Sequence, residues 1–133
     1  MTEQPRVLVV DDQSDIRELA VMVLQGAAYR VEGCASGDEA LNRLADADFE
    51  LVVLDINMPG LDGWETLRMI RADEATATLP VLMFSVKGEM RDKVQSMQEG
   101  ADDYLCKPFA VDELLKRVGR LIDRGRSRGA EAH

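Results

Sequence analysis

The chain has few of the residues on which nucleophilic, redox and metal chemistry most often depends. Its single histidine, His133, is the last residue, which argues against a histidine-based metal site, histidine-dependent catalysis or a phosphohistidine within the chain. Its two cysteines, Cys34 and Cys106, have no metal-ligand spacing and no histidine nearby, and we interpret both as reduced structural thiols.

Long apolar runs are also absent. No run approaches the roughly 20 residues needed to span a bilayer, and residues 1–5 are polar where a signal peptide would need an apolar core. We therefore expect no membrane partner and a cytoplasmic location. With 133 residues, 46% hydrophobic and 31% charged, the composition is typical of one globular domain.

Charge is distributed unevenly along the chain. The net charge is -9, but residues 116–133 carry six basic and two acidic side chains, so the acidity lies in residues 1–115. Such an acidic body should repel nucleic acid phosphates and attract a cation or a basic partner. We therefore expect no direct contact with nucleic acid.

Short apolar runs alternate with amphipathic stretches. The runs predict five strands, at residues 6–10, 30–35, 51–54, 80–85 and 104–106. Apolar residues at helical spacing follow each run and predict five helices. This alternation is typical of an α/β fold, a doubly wound parallel sheet covered on both faces. We predict one domain over residues 1–123, with 124–133 as a basic flexible tail or the start of a linker.

Polar residues stand where the predicted strands end: Asp11 and Asp12, Asp55, Ser85 and Lys107. Ligands of open parallel sheets bind at the carboxyl ends of the strands, so these groups can converge at one edge. Three carboxylates repel each other there unless a counter-charge is present, and Mg²⁺ prefers carboxylate and phosphate oxygens. Three acids, a lysine and a hydroxyl are what phosphoryl chemistry requires, and a carboxylate can itself be the nucleophile.

Three segments make the interpretation specific. Residues 9–12 (VVDD), 54–63 (LDINMPGLDG) and 100–109 (GADDYLCKPF) resemble the signatures of response regulator receiver domains, in the same order. The match covers roughly residues 5–123. It implies a flavodoxin-like fold with strand order 2-1-3-4-5.

The resemblance also implies roles for the acidic residues. Asp55 would accept the phosphoryl group. Asp12 and Asp55 would bind Mg²⁺ directly, Asp11 would bind it through water, and Asn57 would offer its backbone carbonyl.

The same resemblance assigns the remaining groups. Lys107 would pair with the phosphoryl group, and its bond to Pro108 would be cis. Ser85 would bond a phosphoryl oxygen, and Tyr104 would be the aromatic side chain that rotates with the state of the site.

The chain departs from the family pattern beside Ser85. Val86 stands where the family usually has Ala or Gly, and Lys87 occupies a position that influences dephosphorylation in relatives. We therefore expect these two residues to modulate access to Asp55 or the lifetime of its phosphoryl group, without a fixed direction.

The resemblance implies a phosphoacceptor switch, not an enzyme acting on an external substrate. The donor would be a sensor histidine kinase or phosphotransfer protein. An output domain or partner protein would read the face formed by helix four, strand five and helix five, around residues 90–97, Tyr104 and residues 114–120. We expect a monomer or a weak dimer.

Several alternatives remain at this stage. Taken singly, each residue has an ordinary explanation, such as Asp11 and Asp12 capping a helix. A pseudo-receiver would be a binding module that keeps the fold without the chemistry. A phosphohydrolase with an aspartate nucleophile usually places a second acid two residues later, where this chain has Asn57.

Overall fold

The structure is a computed structural model that describes residues 4–86 and 90–131, and within them five strands alternate with five helices. The strands are β1 (Arg6–Val10), β2 (Arg30–Cys34), β3 (Leu51–Asp55), β4 (Val81–Ser85) and β5 (Asp103–Cys106). The helices are α1 (Ser14–Gly26), α2 (Gly37–Asp46), α3 (Gly63–Ala72), α4 (Met90–Gln98) and α5 (Val111–Glu131).

The strands form one parallel sheet in the order β2-β1-β3-β4-β5, which confirms the predicted fold and strand order. Asp55 pairs with Phe84 across β3 and β4, and Ser85 pairs with Cys106 across β4 and β5. The carboxyl ends of these strands are therefore level with one another. This register brings strand-end residues from distant parts of the sequence to one edge.

Both faces of the sheet are buried, as the apolar strands require. On β1, Leu8 and Val10 pack on one face with residues of α2 and α3, whereas Val7 and Val9 pack on the other with residues of α1 and α5. All residues of β3 and β4 are buried. The two central strands are thus fixed by packing on both sides.

Side-chain caps begin two of the helices. The Ser36 hydroxyl accepts from the Glu39 N–H (3.1 Å) at the start of α2, and the Asp62 carboxylate accepts from the Glu65 N–H (2.9 Å) at the start of α3. Such caps stabilise a helix by about 1 kcal/mol. Gln13 occupies the cap position of α1 and makes no side-chain cap, so neither Asp11 nor Asp12 is the cap residue of this helix.

The end of the chain differs from the prediction. Residues 124–131 continue α5, where a flexible tail or linker was expected. Arg126 forms a two-point ion pair with Glu50 (2.8 and 3.0 Å), and Gly125 lies near Pro80, whose Cγ would be 3.5 Å from a Cβ atom added at this glycine. These contacts at the amino-terminal edge of the sheet explain why the helix continues, although glycine disfavours a helix.

The cysteines lie at opposite edges of the sheet, Cys34 buried on β2 and Cys106 exposed on β5, and both are free thiols. Burial raises the pKa of the Cys34 thiol to about 11, which makes it a poor nucleophile.

Among the residues that the structure describes, no helix combines the length and the apolar character that crossing a membrane requires.

The start of α3 gives a test of the fold. A Cβ atom at Gly63 would collide with the Asp55 carbonyl and lie 2.6 Å from the Ile56 Cα, and backbone atoms cannot easily yield. We predict that Gly63→Ala lowers the free energy of unfolding by about 1–3 kcal/mol in urea denaturation. The control is Gly26→Ala, whose added methyl group meets open space and should leave stability equal or higher. Equal stability of both variants would contradict the close approach of α3 to β3.

Candidate functional site

The carboxyl edge of the sheet collects the predicted strand-end residues. Asp11 follows β1, Asp55 ends β3, Ser85 ends β4 and Lys107 follows β5, and all four are buried. Asp12, the next residue after Asp11, is exposed. The Lys107 N–H donates to the Ser85 carbonyl (2.7 Å), which joins the last two strand ends.

The lysine bridges two of the acids. Lys107 Nζ lies 2.5 Å from Asp11 Oδ2 and 3.4 Å from Asp55 Oδ1, and all three side chains are less than 5% exposed. A buried ion pair of this kind is costly to break, because removal of one partner leaves an uncompensated buried charge. The three strand ends are therefore held together electrostatically.

Aromatic rings support the lysine from the sheet side. Lys107 Nζ lies 5.2 Å from the centre of the Phe84 ring, within the range of a cation–π contact. The Phe109 ring packs on Phe84, with 5.3 Å between the ring centres. The Lys107–Pro108 peptide bond between β5 and Phe109 is cis, as predicted.

Asp11 is fixed through its backbone as well as its side chain. Its N–H donates to the Cys34 carbonyl (3.0 Å), and its Oδ1 accepts from the Gln13 N–H (3.0 Å). Its carbonyl accepts from Arg17 Nη1 (2.7 Å). The turn after β1 is therefore anchored to β2 on one side and to α1 on the other.

The pKa of the Asp55 carboxyl is strongly raised. Its pKa is raised to about 7, mainly by burial and also by the negative charge of Asp11, while Lys107 and the Asn57 N–H act in the opposite direction. That N–H donates to Asp55 Oδ1 at 3.3 Å. A carboxylate in this setting favours any bound cation, because a cation removes the electrostatic cost of ionisation.

The acids fit a small hard cation. Asp11, Asp12 and Asp55 each offer one oxygen, and these oxygens lie within 4.8 Å of one another. Opposite ligands of octahedral Mg²⁺ are about 4.2 Å apart, so direct ligands from two acids and one through water are compatible with this spacing. Asp11 Oδ2 and Lys107 Nζ, although in close ionic contact, make no hydrogen bond of regular geometry within the described residues. The exposed Asp12 leaves the site open to solvent.

Two predicted residues lie apart from this charged cluster, and a third is not among the described residues. Tyr104 is buried in the core cluster on the α2–α3 face of the sheet. Val86 is 58% exposed at the end of β4. Lys87 lies outside the described residues.

The groups that hold the site in place were not predicted from the sequence. Arg17 binds the Asp11 carbonyl, and Phe84 and Phe109 support Lys107. Arg17 is one of many polar residues on an amphipathic helix, and Phe84 lies within an apolar strand. Neither position carries a periodic signal that separates it from ordinary surface or core residues.

Fold and site together define the class of protein: a doubly wound parallel α/β domain with a lysine-bridged acidic site at the carboxyl edge of its sheet. A family model described as the response regulator receiver domain matches residues 7–119. The chain belongs to the response regulator receiver domain family.

Curated relatives agree with this assignment. The chain is 41% identical over 123 residues to the transcriptional regulatory protein ResD of Bacillus subtilis, covering 92% of this chain and 50% of the relative. It is 36% identical over 118 residues to the phosphate regulon transcriptional regulatory protein PhoB of Pseudomonas aeruginosa, covering 89% and 52%. The chain therefore spans about half the length of these relatives.

Solved structures are similar over most of the chain. The chemotaxis protein CheY4 of Vibrio cholerae superposes with a TM-score of 0.85 at 35% identity, covering 89% of this chain and 98% of that one. NtrX of Brucella abortus superposes with a TM-score of 0.89 at 32% identity, covering 96% of this chain but only 29% of the longer protein.

The raised pKa of Asp55 gives a prediction about stability. The carboxyl ionises at pH 3.8 in its ordinary state but at about 7 in the fold, so its cost to stability grows as the pH rises between these values. We predict that, without divalent cations, Asp55→Asn gains stability relative to the wild type, and that the gain is about 1–3 kcal/mol larger at pH 8 than at pH 5. Urea denaturation at both pH values measures this difference.

Saturating Mg²⁺ should shrink the difference, because the cation offsets the repulsion among the carboxylates. The control is Asp48→Asn, which alters an exposed carboxylate of the loop before β3. A gain for Asp55→Asn that is independent of pH would contradict the electrostatic account.

Proposed function

We propose that this receiver domain is a phosphorylation switch in which Asp55 accepts a phosphoryl group from a phosphohistidine, with Mg²⁺ as cofactor. The donor is a sensor histidine kinase or a phosphotransfer protein. The observation that carries the proposal is the cluster of Asp11, Asp55 and Lys107 at one sheet edge, with Asp12 beside it. The family assignment supports it, since receiver domains belong to two-component signalling.

The residues divide the chemistry among themselves. A carboxylate oxygen of Asp55 forms a bond to phosphorus, while the bond from phosphorus to the donor imidazole nitrogen breaks and that nitrogen keeps the electron pair. Lys107 neutralises a phosphoryl oxygen, and the Ser85 hydroxyl donates to another. Asp12, Asp55 and the Asn57 carbonyl would hold Mg²⁺, with Asp11 acting through water, and the cation would supply further neutralisation of the phosphoryl oxygens. Hydrolysis of the acyl phosphate resets the switch.

Phosphorylation adds about one to two negative charges at a site that is already acidic. Ser85 and Lys107 then favour the active arrangement, and Tyr104 changes its rotamer. To move the population from 1:99 to 99:1, phosphorylation must favour the active state by about 5.5 kcal/mol. The contact of Lys107 with both carboxylates can contribute to such a shift. Added negative charge at Asp55 increases the attraction of Lys107 to Asp55 relative to its attraction to Asp11.

The output surface is the face formed by α4, β5 and α5. Val94 and Met97 of α4 and Lys116 and Arg120 of α5 are exposed there. Leu114 and Val118, which the predicted surface included, are instead buried against the sheet, because they form the apolar stripe of α5. They support the surface from behind.

The names of the relatives support a proposal about the process that the switch controls. Because several are named as transcriptional or DNA-binding regulators, we infer that the switch controls transcription through a further part of a longer protein. These names give no support to the expectation that the protein has no nucleic acid partner. The acidity of the described domain argues only that nucleic acid is not its own ligand. A monomer or weak dimer stays a prediction.

The rival functions are less well supported. A phosphohydrolase needs a proton donor near the nucleophile, and Asn57, two residues after Asp55, is not an acid. A pseudo-receiver would lack part of the site, whereas this chain keeps all three acids, Ser85 and Lys107. The proposed role is therefore that of a switch that assists its own phosphorylation.

Acetyl phosphate tests the function directly. With Mg²⁺, we expect intact-protein mass spectrometry to show the gain of one phosphoryl group, absent in Asp55→Asn and greatly reduced when EDTA removes the metal. Asp48→Asn, at an exposed loop carboxylate, should behave as the wild type. No phosphoryl gain with acetyl phosphate or phosphoimidazole would favour the pseudo-receiver, and continuous turnover of an unrelated phosphoester would favour the hydrolase.

Val86 gives a further prediction. Its branched side chain is 58% exposed beside the buried Ser85, where it can screen the mouth of the site. We expect Val86→Ala to accelerate both phosphorylation by acetyl phosphate and loss of the phosphoryl group about twofold to tenfold, a barrier change below about 1.4 kcal/mol. Val94→Ala, at an exposed valine on α4, is the control. Unchanged rates in Val86→Ala would remove the idea that this residue limits access.

A further inference from the structure

Arg17 on α1 reaches back to the turn that carries the first two acids. Its Nη1 donates to the Asp11 carbonyl at 2.7 Å. We propose that Arg17 is a positioning residue that orients Asp11 and Asp12 for the cation. The inference rests on the proposed function, because it concerns the Mg²⁺ site through which phosphorylation is assisted.

The carbonyl that Arg17 binds belongs to the peptide group between Asp11 and Asp12. A peptide group is planar, so fixing its oxygen fixes the plane from which both residues leave. The other contacts of Asp11 involve its N–H and its side chain. Arg17 is therefore the contact that acts directly on this peptide group, and with it on the direction in which Asp12 departs toward the site.

Gly33 on β2 provides the path for the arginine side chain. A Cβ atom at Gly33 would lie 3.2 Å from both Cγ and Cδ of Arg17 and 3.5 Å from Val21 Cγ2. Glycine weakens a strand, and in a strand it often marks a close approach of another group. Here the group is the Arg17 stem, which lies against β2 before its guanidinium reaches Asp11.

The direction in which Mg²⁺ affinity changes when Arg17 is removed distinguishes a positioning role from a simple electrostatic effect. Arg17 is a cation near a site for a cation, so charge alone predicts that its removal strengthens Mg²⁺ binding. Positioning predicts the opposite, because loss of an outer contact that orients metal ligands typically weakens binding by 10–100-fold. A neutral replacement of similar length therefore distinguishes the two effects.

The experiment measures Mg²⁺ affinity of the unphosphorylated protein by isothermal titration calorimetry. We expect Arg17→Met to weaken binding about tenfold or more and Arg17→Lys to recover part of the loss. The matched control is Arg68→Met, which removes an exposed arginine that pairs with Glu99 on another part of the surface. At saturating Mg²⁺, the maximal rate of phosphorylation by acetyl phosphate should return close to the wild-type value in Arg17→Met, whereas a general structural defect would lower it.

The close approach of the Arg17 side chain to Gly33 allows a double-mutant test. Gly33→Ala should weaken Mg²⁺ binding by displacing Arg17, and it should have no further effect in the Arg17→Met background. Additive losses would mean that Gly33 acts independently of the arginine, against the proposed path.

The possible results distinguish the positioning role of Arg17 from the proposed function on which it rests. If the wild type binds Mg²⁺ and gains a phosphoryl group, but Arg17→Met binds Mg²⁺ equally or more tightly, the positioning role is overturned and the function stands. Lower stability of Arg17→Met with unchanged Mg²⁺ affinity would likewise overturn the positioning role. Arg17 would then only stabilise the packing of α1 against the end of β1. If the wild type neither binds Mg²⁺ nor is phosphorylated, the proposed function itself fails and the inference falls with it.

Discussion

The contact of Lys107 with Asp11 and Asp55 is the constraint around which the rest of the structure is arranged. Burying two carboxylates is unfavourable, and one ammonium group compensates them only if three separate strand ends meet within a few ångströms. A parallel sheet with level carboxyl ends provides this meeting point. A slip of one residue in register would turn the side chains of a strand to the opposite face and separate the charges.

The surrounding packing maintains this arrangement. Phe84 extends under the lysine from β4, in register with Asp55 on β3, and Phe109, which follows the cis bond at Pro108, packs on the Phe84 ring. Gly63 lets α3 begin almost in contact with the backbone after β3, and its N–H donates to the Ile56 carbonyl at 2.9 Å. The charged cluster is thus enclosed by close packing on the protein side and open on the side of Asp12. That asymmetry suits the proposed switch, whose site would admit a cation and a phosphoryl donor on its open side.

The sequence was sufficient for the order of the elements and for the identity of the strand-end residues, because both follow from local patterns. Continuous apolar runs indicate strands buried on two faces, and Asp55 stands directly after such a run. Features that depend on contacts between distant residues were not accessible in this way. The extension of α5 depends on Arg126 meeting Glu50, 76 positions away, and the contact of Arg17 with Asp11 depends on a gap over Gly33 that exists only once β1 and β2 have paired. The burial of Leu114 follows from its helical spacing, but a surface predicted as a continuous range ignores that periodicity.

The unequal sharing of Lys107 suggests how the same cluster can both hold the fold and change with charge. Its ammonium lies 2.5 Å from Asp11 and 3.4 Å from Asp55, so its stronger partner is the residue that is not proposed to be modified. Coulomb attraction falls with distance but rises with charge, and a phosphoryl group on Asp55 would increase the pull on that side while extending the negative charge outward from the sheet. Lys107 would then be drawn from Asp11 toward the new oxygens. Since its backbone N–H is bonded to the Ser85 carbonyl, that movement would act on the ends of β4 and β5, next to the proposed output surface of α4, β5 and α5. The interaction that makes the site possible is therefore also the one through which a change in its charge can be transmitted.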